Sequence, residues 1–274
     1  MSRDRGFALL IVLWTLALLS LLISQLAASG RQALRLAGGL REAAVLGAVA
    51  DGAVQEAGFH VAAAGAAHWP ANGALRELRT DGAGVRLRII NQAGRINPSI
   101  ASLELLTALV HGCGVELPKA TAIASAITAW RFPSGQGNYG ADAYRRAGRA
   151  YAPPGAPFES VSELGLVLGM TPNLLACLAP HLSLYRDSDP DPNAADPLVL
   201  RALAETIGTP PPLTAAPVDE TVVEVSVVVT GPGGVRAMRD AVLRIDPGQA
   251  GNGPTPSAGA NGVQQPFRIM DREP

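Results

Sequence analysis

The sequence predicts an α+β fold: a long N-terminal membrane-spanning helix packed on a small antiparallel sheet, with a large all-helical insertion. Three observations carry this reading. No charged residue occurs from Gly6 to Gly30. Strand-type patterns appear near Val85–Ile90 and return only at Thr221–Val229 and Ala241–Ile245. The stretch from Ser99 to Glu205 reads as several helices.

The N-terminal run belongs in a bilayer. A helix rises about 1.5 Å per residue and a hydrocarbon core is roughly 30 Å thick, so roughly 20 apolar residues span it. Arg3 and Arg5 precede the run, which keeps the leader cytoplasmic and sends the rest outward. With 274 residues, 48% hydrophobic content, 16% charged residues and a net charge of -1, the chain has room for an anchor and one large or two small folded domains. That balance excludes the electrostatic footprint of a nucleic-acid binder.

The junction before the run needs its own account, because Arg5-Gly6 is followed directly by Phe7 with no spacer. An ordinary secretory signal has a shorter apolar core and is cut on its far side, where Leu26-Ala27-Ala28-Ser29 has the right composition. The basic-Gly-Phe junction instead resembles the type IV pilin-like family, whose leader is removed after a glycine by prepilin peptidase and whose new N-terminal residue, usually Phe, is methylated. The resemblance implies processing between Gly6 and Phe7 and makes Ile11 the fifth mature residue. Most members carry Glu there; an apolar residue resembles the K-class minor pseudopilins of the type II secretion system. A carboxylate in the membrane without a cationic partner costs several kcal/mol. A subunit with no neighbour ahead of it gains nothing from that acid, so Ile11 fits a tip position.

Beyond the bilayer, Ala33, Leu36, Leu40, Ala43, Gly47, Ala50, Val54, Ala57 and Val61 recur at spacings of three and four. They form one face of a continuing helix. Small residues on that face suit close approach to a sheet or to neighbouring helices, and glycines in the interior mean that packing must hold it. Leu36, Leu40, Gly47 and Val54 are the candidate assembly face. After Trp69-Pro70 and the Asp81-Gly82-Ala83-Gly84 turn, Val85-Arg86-Leu87-Arg88-Ile89-Ile90 alternates as a strand. Gly94-Arg95-Ile96-Asn97 resembles the family's junction between sheet and insert, and Ser99 is the expected N-cap of the first inserted helix.

Within the insert the clearest helices are Ala120–Trp130 and the two capped segments from Ser160 and Thr171, the second running through Asn173–Leu184. That pair also resembles a helix-hairpin-helix, but its turn, Leu168-Gly169-Met170, has one glycine and no nearby lysine, so a scaffold outranks DNA binding. Cys113 and Cys177 lie in separate helical stretches facing an oxidising compartment; a disulfide and two buried thiols both remain open. K-class inserts resemble calcium-binding domains with an acidic loop after a Trp. Here Trp130 is followed by Arg131, Phe132 and Pro133, and Asp142 stands alone, whereas calcium wants six to eight oxygens. Asp187, Asp189, Asp191, Asn193 and Asp196 begin like an EF-hand loop, but Pro192 replaces its glycine and Leu198 its closing glutamate. Asp142, Asp187, Asp189 and Asp191 are therefore weak calcium candidates, a solvated Pro-Asp linker is the preferred reading, and no cofactor is required.

Two further strands around Gly231-Pro232-Gly233-Gly234 form a hairpin, a Gly/Pro-rich segment from Asp246 to Gln265 reads as mobile, and Pro266–Met270 adds a short strand. His60, His68, His111 and His181 are scattered, and no catalytic constellation is placed by the sequence. The implied plan is a leader at 1–6, a transmembrane helix at 7–29, a pilin-like domain at 30–98 and 206–274, and an inserted helical domain at 99–205. The resemblance implies a non-catalytic single-pass protein of the bacterial inner membrane with its main domain in the periplasm. Its implied partners are prepilin peptidase, the inner-membrane platform, the pseudopilus shaft and minor pseudopilins of the I and J classes, with no nucleic acid. The alternative is a secreted or signal-anchored periplasmic domain with a hydrolytic or binding activity.

Overall fold

One helix, α1 (Asp4–Ala62), runs unbroken through the N-terminal region. The computed structural model describes residues 4–80, 82–132, 139–209, 221–232, 234–246 and 266–273. Among the described residues, no helix is long and apolar enough to cross a membrane. The apolar run whose side chains are described, 12–25, is left uncovered by the rest of the chain. Further along, Leu46, Ala50, Ala53, Val54, Ala57 and Val61 are buried at helical spacing. This second half of α1 is held by what it packs against.

Its partner is a five-stranded antiparallel sheet in the order β1–β2–β3–β4–β5, formed by Arg76–Thr80, Ala83–Asn91, Val222–Thr230, Arg236–Ile245 and Phe267–Glu273. Alternation along the strands turns Val85, Leu87 and Ile89 of β2 and Val223, Val225, Val227 and Val229 of β3 toward α1. Each such side chain contributes about 1.5–3 kcal/mol on burial. At Gly58 the helix approaches β5 so closely that an added Cβ would lie 2.6 Å from the Phe267 ring. The charged strand β1 was not expected. Arg-Glu-Leu-Arg-Thr carries one apolar side chain, because an edge strand needs little burial and gives no alternation to read.

Strands β2 and β3 are hydrogen-bonded neighbours, Ile89 opposite Val225, although the helices lie between them in sequence. These are α2 (Leu103–Gly112), α3 (Leu117–Arg131), α4 (Ala141–Arg146), α5 (Pro172–Leu178) and α6 (Pro197–Ile207). They enclose their own core, with Leu106, Leu109, Ile127, Leu164 and Leu178 nearly inaccessible. Around Trp130 gather Tyr144, tilted, Tyr151, edge-on, and Phe158, whose ring is nearly parallel at 6.1 Å.

Two helix limits differ from expectation. Ser102, not Ser99, caps α2 by accepting from the Leu105 amide at 3.1 Å. Ser99 instead accepts from the Phe158 amide at 3.0 Å, and Asn97 takes the Ser99 amide. The segment from Ser160 is a 3-10 turn over Val161–Leu166, and α5 stops at Leu178 rather than Leu184. Pro180 has no N–H to continue the ladder, so only a short 3-10 turn follows.

A narrow neck joins insert to sheet. The Ile96 amide donates to the His181 carbonyl at 2.9 Å, and the Ser183 amide to Ile96 at 3.0 Å. The Asn97 side chain donates to the Arg186 carbonyl at 2.6 Å. Arg95 pairs with Glu224 of β3 at 2.9 Å, and the Tyr185 hydroxyl donates to Asp271 of β5. Gly94 permits the closest approach: a Cβ there would lie 2.2 Å from the Ala194 carbonyl oxygen.

Candidate assembly interface

The expected assembly face of α1 divides in two. Leu36 and Leu40 are 65% and 64% exposed, whereas Val54 is fully buried against the sheet. Gly47 is buried beneath Arg239, which reaches from β4 to Asp51 of α1 at 2.9 Å. A periodic stripe of small residues thus serves its own domain at the upper end and is open at the lower end. Gly6, Phe7 and Ile11 lie on the helical backbone, and their side chains fall outside the described residues.

In the insert, Cys113 at the end of α2 and Cys177 in α5 form a disulfide with a Cα separation of 6.1 Å. The acidic candidates are drawn into local roles. Asp142 pairs with Arg145, Asp187 faces Arg244 at 3.8 Å, and Asp191 accepts from the Asn193 amide at 2.8 Å. Asp189 is exposed. Among the described residues, no group of three or more His, Cys, Asp or Glu side chains is arranged to hold a metal ion.

Asp196 has a different task from the one its place in an acidic run implied. It caps α6, accepting from the Leu198 and Val199 amides, and meets His181 Nδ1 at 2.6 Å. Burial alone would raise its pKa, but the bonds from His181 and the two amides outweigh burial and hold it below the ordinary carboxylate value. Pro197 at the first helical position is the signal that could have revealed this cap.

Sequence reasoning also missed Arg131. It is 6% exposed; Nη2 donates to the Ala101 carbonyl at 3.0 Å, and Nε and Nη1 have no hydrogen-bond partner. Burial lowers its pKa. An interior guanidinium without a carboxylate leaves no trace in a pattern read one residue at a time.

On the side of the sheet away from α1, strand register assembles a surface that no local motif announced. Arg79, Gly84, Thr230 and Arg236 form one row across β1 to β4, and Glu77, Arg86, Val228 and Met238 form the next.

Residues 87–191, from β2 through the neck and most of the insert, match the family model described as type II secretion system protein K. Over that stretch the chain is similar to type II secretion system protein K. The match supports a minor pseudopilin that takes part in protein secretion. No curated protein sequence matches the chain. Among solved structures, a chain of the GspK-GspI-GspJ complex from the enterotoxigenic Escherichia coli type 2 secretion system is similar, with a TM-score of 0.59 and 14% identity. The match covers 89% of this chain and 98% of that one. At that identity the likeness shows the fold alone: helix, antiparallel sheet and inserted helices.

Proposed function

We propose that this minor pseudopilin caps the tip of the type II secretion pseudopilus as a non-catalytic subunit, anchored in the bacterial inner membrane by residues 7–29 with the remainder in the periplasm. The observation that carries the reading is the helical body, with its own core, inserted between the adjacent strands β2 and β3. A body of that size beside a pilin-like sheet is too wide to repeat in a shaft whose helices pack side by side. Ile11 supports the same placement, since no acid is present there to meet the terminus of a subunit ahead. Partners of the I and J classes follow from the tip position and from the solved complex of protein K with GspI and GspJ. Leader removal after Gly6 by prepilin peptidase, methylation of Phe7 and contact with the inner-membrane platform and shaft complete the reading. No metal is assigned.

The test uses the open end of α1. Cysteines introduced at Leu36 or Leu40 are exposed, unlike one at Val54, and the two native cysteines are already paired. Discrete crosslinked hetero-oligomers are expected; ladders of self-crosslinked chain identify a shaft subunit and defeat the proposal. Processing is read separately: Gly6→Leu should retain the leader, and N-terminal sequencing that still begins at Phe7 rules out the assigned junction.

A further inference from the structure

The outer face of the sheet carries a charge pattern that neither the fold nor the tip position requires. Arg79, Arg86, Arg88 and Arg236 are exposed, and none of the four has a carboxylate partner among the described residues. Glu77 is the one acid in the two rows that hold Arg79, Arg86 and Arg236. Beside them Met238 is 57% exposed, directly opposite the partly covered Val228. Arg86 and Arg88 share this face of β2 and Arg79 lies diagonal to Arg86, within reach of one another for long side chains, so the gathered positive charge does nothing for the fold. Arginine and methionine around an apolar centre are the composition of a contact surface. We infer that this face is a docking surface for an acidic protein other than a second copy of this chain.

Magnitudes and geometry choose that occupant. The patch lies at the end of the sheet nearer the start of α1, because Gly231, next to the Thr230 row, packs beside Leu46 and Glu42. Higher up, Arg239 meets Asp51 and Phe267 meets Gly58, so the strands climb alongside α1. From Gly30 to the level of Glu42 is roughly 20 Å of helix, more than two Debye lengths of about 8 Å, so anionic lipid headgroups are too far away to neutralise it. A second copy anchored in the same membrane stands parallel to the first, and face-to-face contact then sets each arginine row against itself. Glu224 and Asp271, higher on the same face, meet Arg79, Arg86 and Arg236 only if the copies are antiparallel, which a shared membrane forbids, and Asp240 shares a row with Arg88 alone. Guanidinium groups take carboxylates in paired bonds, so the fitting surface is one rich in Asp and Glu.

This inference rests on the anchored orientation proposed above, and its test keeps the two apart. A photoreactive benzoylphenylalanine is placed at Met238 of the full-length chain in membranes that contain the whole secretion machinery. The expected adduct joins a different protein through a peptide carrying clustered Asp or Glu. Its yield falls at least tenfold in the Arg79→Glu, Arg236→Glu variant, whose positions face Gly84 and Thr230, with the thermal midpoint unchanged, and recovers when the acids of the captured peptide are reversed to lysine. An adduct with lipid or with a second copy, no adduct, or a yield indifferent to charge reversal overturns the docking surface. Recovery of the chain outside the membrane fraction overturns the anchored reading and, with it, the exclusion of a second copy.

Discussion

At the scale of single residues, the buried charges are where stability and chemistry separate. Arg131 sits in the interior with, among the described residues, one hydrogen bond to a carbonyl and no carboxylate. Replacing a buried charge by an apolar side chain of similar length is often neutral or stabilising. Arg131→Met should therefore leave the thermal midpoint unchanged or raise it by a few degrees; a clear fall in differential scanning calorimetry would show that the Ala101 bond outweighs desolvation. Asp196 behaves oppositely, because its folded pKa is depressed by His181 and the α6 amides. Its contribution is fully present above its unfolded pKa of about 3.9 and is lost as pH falls through the lower folded value. In urea titrations the wild type should be more stable than Asp196→Asn at pH 6, and the gap should close progressively as the pH falls below the unfolded carboxylate value. A gap of constant size would mean that the charge is not involved.

Contacts between elements depend on backbone approach and on one covalent tie. Gly94 brings the neck within reach of Ala194, where the obstacle to any side chain is backbone. Gly94→Ala forces that crossing apart and should cost about 1–3 kcal/mol, the range for overpacking, read as a lower urea midpoint. A variant with the wild-type midpoint would place the Asp191–Ala195 segment elsewhere. The disulfide spans a sequence separation of 64, for which loop-closure entropy predicts about 4 kcal/mol. Because the disulfide ties α2 to α5 within the helical insert and not to the sheet, the double Ser variant should unfold in two steps, helices first. A single shifted transition would mean that the neck couples both cores into one unit.

For the molecule as a whole, the two cores are independent of the N-terminal run. Among the described residues, neither core contains a buried residue before Leu46. A fragment beginning at Arg31 should therefore be soluble and retain the thermal midpoint of the full chain; aggregation or a large loss of stability would show that the earlier part of α1 supports the fold.

What the residues by themselves determine is local and periodic. The small-residue stripe of α1, the alternation in β2 and β3 and the Pro-led α5 are readable because each depends on spacing within one segment. The Arg5-Gly6-Phe7 junction and Ile11 are likewise legible, since a processing signal is a short phrase. Pairings over long separations are not. Whether the Val54 end of the stripe faces a sheet or a neighbour, whether Cys113 meets Cys177, and which arginines share a face with Met238 depend on register between strands as distant as β2 and β3. The same holds for the acidic run after Asp187. Its alternation reads as a ligand loop, but Asp187 meets the distant Arg244 while Asp191 and Asp196 take backbone amides two or three residues on, because a nearby donor satisfies a carboxylate at less entropic cost than gathering several around an ion.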